Sequence, residues 1–140
     1  MLRPESKARA RALQLLYAWE MQPGEQLSAV ATRAATLCPR KRGAGPILDR
    51  AEAMAVAVAE GEQELDRKVA AAADNWRLGR LGTVDRIILR LGIRELGDEL
   101  VPPKVAIDEA VWLAHMFGGA KSAAFVNGVL DRVARSLGRL

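Results

Sequence analysis

Two residue types that carry much of protein chemistry are nearly missing. The 140-residue chain has one cysteine, Cys38, and one histidine, His115. A single cysteine excludes an internal disulfide, and the scarcity of both excludes a Cys-rich zinc site and most other transition-metal sites. Nothing in the sequence puts His115 beside Cys38 as a base, so a helix-end cysteine and a surface histidine are the expected roles. No run of about 18 apolar residues occurs, so no membrane-spanning helix is expected. The opening Met-Leu-Arg-Pro-Glu-Ser-Lys lacks the apolar stretch of a signal peptide, which makes the cytoplasm the expected compartment. No Gly-x-x-x-x-Gly-Lys-Ser/Thr loop exists, and no Gly-x-Gly-x-x-Gly follows a strand. The acidic group Glu60, Glu62 and Glu64 alternates around a helix instead of converging. Asp108 and Glu109 fit a first helical turn, where the dipole favours them. The expectation is a protein without catalysis, metal or cofactor.

What is present is a globular composition, 50% hydrophobic and 27% charged. A chain of this length forms one domain, taken as residues 1–140, and buries roughly two thirds of its unfolded surface. The net charge is +4, but it is unevenly placed. Residues 1–50 hold nine Lys and Arg against four Asp and Glu; residues 51–140 hold twelve against thirteen. A localised basic excess points to a polyanion more than a uniformly basic surface does.

The pattern reads as helix throughout, because aromatics are 4% and no segment of useful length alternates apolar with polar residues. Pro4 suits a first helical turn, and the first helix runs to about Met21, where Gln22-Pro23-Gly24 stops it. A second helix spans Gln26 or Leu27 to Leu37. Cys38 to Pro46 is a basic Gly/Pro-rich loop, with Arg40-Lys41-Arg42 adding positive field. A long helix is expected from Ile47 to Ala73, interrupted at Gly61. A turn containing Trp76 follows. The next helix starts at Gly82 or Thr83 and ends at Gly97; it is apolar over most of its circumference, which argues for a central position. It still carries the row Arg86, Arg90, Arg94. After Val101-Pro102-Pro103, a further helix runs to Gly118-Gly119. Ser122 is the expected N-cap of the last one. Six or seven helices with short connections make an all-α domain.

The strongest functional signal lies on the first helix. Arg3, Lys7 and Arg11 fall on one side, with Gln14 beyond them, at about 6 Å per step. That matches successive phosphates of a single strand. Tyr17 borders the basic and apolar sides, where its ring can stack on a base. A solvated helix face with incidental arginines accounts for the pattern equally well.

The C-terminal half adds a resemblance. Pro103-Lys104-Val105-Ala106-Ile107-Asp108-Glu109-Ala110-Val111, then Leu113-Ala114, Phe117-Gly118, Ser122 and Phe125-Val126-Asn127-Gly128-Val129-Leu130-Asp131 closely resemble the NusB family of bacterial transcription antitermination factors. Trp76, Val84 to Arg90, Glu95-Leu96 and the opening Arg9 to Trp19 fit the same family, while residues 22–50 match it least. The resemblance implies two packed three-helix units. It implies binding of boxA RNA in ribosomal RNA leader transcripts, together with NusE, a small-subunit ribosomal protein. Through NusE it implies assembly with other Nus factors and RNA polymerase. Carried over by position, Lys7, Arg9 and Arg11 are the implied phosphate contacts, with Gln14 and Tyr17 near them. Phe125 matches a position that approaches RNA, although its periodicity places it in the core. Asp85 matches an acidic position facing NusE, in competition with a role as helix N-cap. Pro4-Glu5-Ser6 dilutes the basic opening, and Lys121 stands where relatives can have an acid.

Two alternatives compete. Some ribosomal RNA cytosine methyltransferases carry a NusB-like domain; a chain ending at Leu140 lacks the rest of such an enzyme unless it is a fragment. A helix-turn-helix DNA binder needs a recognition helix, and the late helices carry their charges sparsely. A homodimer covering the basic helix stays open.

Overall fold

A computed structural model describes residues 3–37, 45–73 and 81–140. Cys38, the Arg40-Lys41-Arg42 loop and Trp76 lie outside the described residues. Seven helices and no strand are found among the described residues, as the pattern predicts. The chain divides into two units, residues 1–60 and 61–140.

The first unit holds α1 (Pro4–Glu20), α2 (Leu27–Leu37) and α3 (Gly45–Glu60). Pro4 occupies the first turn of α1, where its missing N–H has no helical partner to lose. The buried side of α1 is Ala8, Ala12, Leu13, Leu15 and Leu16; that of α3 is Ala51, Ala55 and Val58. Alanines four residues apart on both helices keep the facing surfaces low, so α1 and α3 pack closely, with α2 against them through Leu27, Val30 and Ala31.

The second unit holds α4 (Glu62–Ala72), α5 (Thr83–Leu96), α6 (Pro103–Phe117) and α7 (Ser122–Ser136). The long helix expected over 47–73 is two helices. The break falls at Gly61, the residue between α3 and α4, whose φ of −104° and ψ of 16° leave the helical region. Helix α5 is the axis of this unit, with every residue from Ile87 to Ile93 buried and α4, α6 and α7 packed around it. Burial all round is what its apolar circumference predicts. Gly92 lets α7 in: a Cβ there would stand 2.7 Å from Leu130 Cδ1.

One arginine is built into this core. Arg90, only 7% exposed, donates to Asp66 of α4 from Nε at 2.7 Å and from Nη2 at 3.0 Å, and pairs with Glu62 at 3.2 Å. The planar guanidinium matches the carboxylate fork, which satisfies a charge that is costly to bury alone. Ser122 does not cap α7; the cap position is Lys121. The Ser122 hydroxyl accepts the Gly119 N–H at 2.9 Å instead, closing the turn that precedes the helix.

Candidate nucleic-acid interface

The outward side of α1 is a continuous stripe. Arg3, Lys7, Gln14, Tyr17 and Met21 are exposed, and Ala10, Arg11 and Ala18 are half-buried between them. At 3.6 residues per turn, these eight positions span about 120° of the helix circumference. None of them is acidic. The acids of α1 lie elsewhere: Glu5 turns to α3, where Arg50 donates to it at 3.3 Å, and Glu20 sits off the stripe. The Glu5 carboxyl is held below its ordinary value, first by a backbone hydrogen bond and, against some desolvation, by Arg50 and Arg3.

The structure brings Arg3, Lys7, Arg11, Gln14 and Tyr17 together on this stripe. Gln14 is tied to its neighbour, accepting from Arg11 Nη1 at 3.3 Å, which orients both side chains. Tyr17 is 43% exposed. Arg9 is different. It is 6% exposed and lies among the buried residues of α1, so its guanidinium is withdrawn from the surface that Arg3, Lys7 and Arg11 share. Two residues along a helix is about 200° of rotation, enough to put Arg9 and Arg11 on different sides.

The other predicted residues belong to the second unit. Phe125 is half-buried in the first turn of α7, between the core expected from its periodicity and the surface implied by the resemblance. Asp85 is half-buried in the first turn of α5, where the helix dipole favours a carboxylate. It is not the cap, which is Gly82.

Met21 joins the residues expected on this side. It is 50% exposed and continues the stripe. Lys7, Gln14 and Met21 stand seven residues apart, nearly two helical turns, and that interval is the signal that links them. No group of three or more His, Cys, Asp or Glu able to hold a metal is found among the described residues. No helix among them is long and apolar enough to cross a membrane.

Comparison with known proteins fits this arrangement. The NusB family model matches residues 6–135. The chain belongs to the NusB family. A transcription antitermination protein NusB from Sorangium cellulosum is 43% identical over 138 residues, covering 96% of this chain and 94% of the relative. Among solved structures, T. maritima NusB superposes with a TM-score of 0.81 at 30% identity, over 96% of this chain and 93% of that one. A structure of antitermination factors NusB and NusE in complex with double-stranded RNA gives 0.78 at 25% identity, over 97% of this chain and 99% of the neighbour. NusB relatives thus match both units, including the stretch over 22–50 where the motif resemblance is weakest.

Proposed function

We propose that this NusB-family chain is a non-enzymatic RNA-binding adaptor of transcription antitermination, working in the cytoplasm. It binds boxA-type single-stranded RNA together with the ribosomal protein NusE, and through NusE it joins other Nus factors on RNA polymerase. The observation that carries this reading is the α1 stripe: three cations, an amide and an aromatic ring on one acid-free helix side. The antitermination names of its relatives and the RNA and NusE in one structural neighbour support it.

The mechanism is positioning. Arg3, Lys7 and Arg11 face successive phosphates at about 6 Å per step, and Gln14 and Tyr17 contribute beyond them. Asp85 offers a carboxylate to NusE, and Phe125 offers an aromatic edge to RNA. RNA held on one surface and NusE on another raise each other's effective concentration, so the assembly is tighter than either contact alone. The chain as one domain, residues 1–140, is the unit that performs this.

The test is a gel shift with boxA-type RNA, with and without purified NusE, and with duplex DNA alongside. The expected result is weak, salt-sensitive RNA binding that NusE tightens. Equal binding to duplex DNA, or RNA binding that NusE leaves unchanged, contradicts the proposal.

A further inference from the structure

The connection between α5 and α6 is short, acidic and exposed at its tip. It reads Gly97-Asp98-Glu99-Leu100-Val101-Pro102. Leu100 is 91% exposed, and Glu99 and Pro102 are exposed on either side of it. Pro102, at φ −59° and ψ 137°, holds the end of the tip in the extended polyproline II region. Exposed apolar side chains occur beside it in the fold: Val105 at 36% in the first turn of α6, and Leu140 at 43%. A lone exposed leucine on a loose loop is ordinary. This one is carried by a loop that the rest of its unit holds still.

The brace comes from the end of α7. Gly138 follows that helix at φ 70°, a region that favours glycine. The chain then folds back: the Gly138 N–H donates to Arg135 O at 3.0 Å and the Arg139 N–H to Ala134 O at 2.9 Å. This reversal delivers the Arg139 guanidinium to the α5–α6 connection. Its Nη1 donates to Leu96 O at 2.8 Å and to Asp98 O at 3.1 Å, and its Nη2 donates to Val101 O at 2.9 Å. Leu96 O is a carbonyl that a helix end leaves over, but Asp98 O and Val101 O belong to the connection itself. Asp98 adds a second tie, its Oδ1 accepting the Leu100 N–H at 3.0 Å. The backbone on both sides of Leu100 is thus fixed, while its side chain stands in water. A loop already ordered loses little freedom when a partner covers it.

Charge narrows the partner. Asp98 and Glu99 precede Leu100, and Arg139 is committed to carbonyls. The next cations, Arg94 and Lys104, lie on the flanking helices. Two carboxylates at the tip repel phosphates, so RNA is not its ligand. A protein surface with basic side chains around an apolar groove is complementary to it. We propose that Leu100 anchors a protein-docking tip, entering an apolar, Lys- and Arg-rimmed groove on a component of the transcription complex other than NusE. Asp85, offered to NusE, stands in the first turn of the 14-residue α5 and the tip follows its last, about 20 Å away along the axis. This inference rests on the adaptor reading above. It adds a direct attachment to the one made through NusE, and two attachments raise each other's effective concentration.

The experiment uses the full chain with purified NusE, boxA-type RNA and purified RNA polymerase bearing the other Nus factors. Retention of the chain–NusE–RNA complex on immobilised polymerase is measured for the wild type, Leu100→Ala, Leu100→Met, Glu99→Lys and Arg139→Lys. Binding to RNA alone, binding to NusE alone and sedimentation mass are measured in parallel, with circular dichroism to verify folding. The expected result is about fivefold weaker retention for Leu100→Ala, with Leu100→Met close to wild type. Glu99→Lys weakens retention about twofold at low salt and not at high salt. Arg139→Lys, which keeps the charge but not the fork, weakens it about threefold. RNA binding, NusE binding and mass stay unchanged in all four variants. Wild-type retention of Leu100→Ala overturns the tip. So does a loss of NusE binding in that variant, which assigns the tip to NusE, or a fall in its sedimentation mass, which assigns it to a second copy. A wild-type complex that forms but is not retained overturns the tip and leaves RNA and NusE binding standing. Failure of the wild type to bind either RNA or NusE overturns the adaptor reading, and the tip with it.

Discussion

Helices α1 and α5 both carry basic residues at four-residue spacing, and they use them in opposite ways. On α1 the row is Arg3, Lys7 and Arg11; on α5 it is Arg86, Arg90 and Arg94. The α1 row lies on an outward stripe whose own positions include no acid. The α5 row is broken up by the fold. Arg90 is drawn inside by Asp66 and Glu62 of α4, Arg86 donates to Leu81 O at 3.2 Å, and Arg94 sits exposed in the last turn, where the dipole favours a cation. Spacing is the same in both, so spacing does not decide between display and structure. What decides is whether the helix is apolar around its circumference and whether a neighbouring helix offers carboxylates in register.

The largest effect is expected at Arg90. Arg90→Ala leaves Asp66 and Glu62 without their common partner and should cost about 3 kcal/mol of stability, near the lower end for a broken buried pair because both carboxylates keep contact with water. Chemical denaturation measures this, and a loss under about 1 kcal/mol would mean that the pair is not structural. Gly92→Val tests the packing of the same helix. A side chain where even a Cβ meets Leu130 Cδ1 at 2.7 Å should cost about 1–3 kcal/mol, seen as a lowered Tm. On α1 the expectation reverses. Lys7→Ala should change stability by no more than about 0.5 kcal/mol, yet reduce the slope of log affinity against log salt for single-stranded RNA by about 0.7. The smallest effect is expected at Glu5. Its folded pKa lies below its ordinary value, so it contributes stability above about pH 4.5 and loses it as pH falls through the folded value. Glu5→Gln should slightly flatten the acid limb of a pH–stability curve and leave neutral pH nearly unchanged.

This contrast also marks what the sequence discloses. Helix type and most of the order were legible, because apolar periodicity and the stops at Gln22-Pro23-Gly24, Gly97 and Gly118-Gly119 are local signals. The centrality of α5 was legible from its apolar girth. The Arg90 cluster was not, because Glu62 and Asp66 lie more than twenty residues away and only the packing of α4 on α5 brings them to it. Arg9 was implied as a surface contact through the resemblance, while its helical angle already set it apart from Lys7 and Arg11. Ser122 carries the side chain of a cap, but the Gly119 N–H competes for its hydroxyl. The seven-residue interval puts Met21 on the face of Lys7 and Gln14, but its 50% exposure is a property of the fold and not of the interval.

If the α1 cations hold RNA phosphates, removing them must remove the salt dependence of binding. The salt dependence of single-stranded RNA binding is compared between the wild type and the Arg3→Ala, Lys7→Ala, Arg11→Ala triple variant. Three phosphate contacts predict a wild-type slope of about −2, falling toward zero in the folded triple variant. A slope that survives the loss of all three side chains would contradict the account.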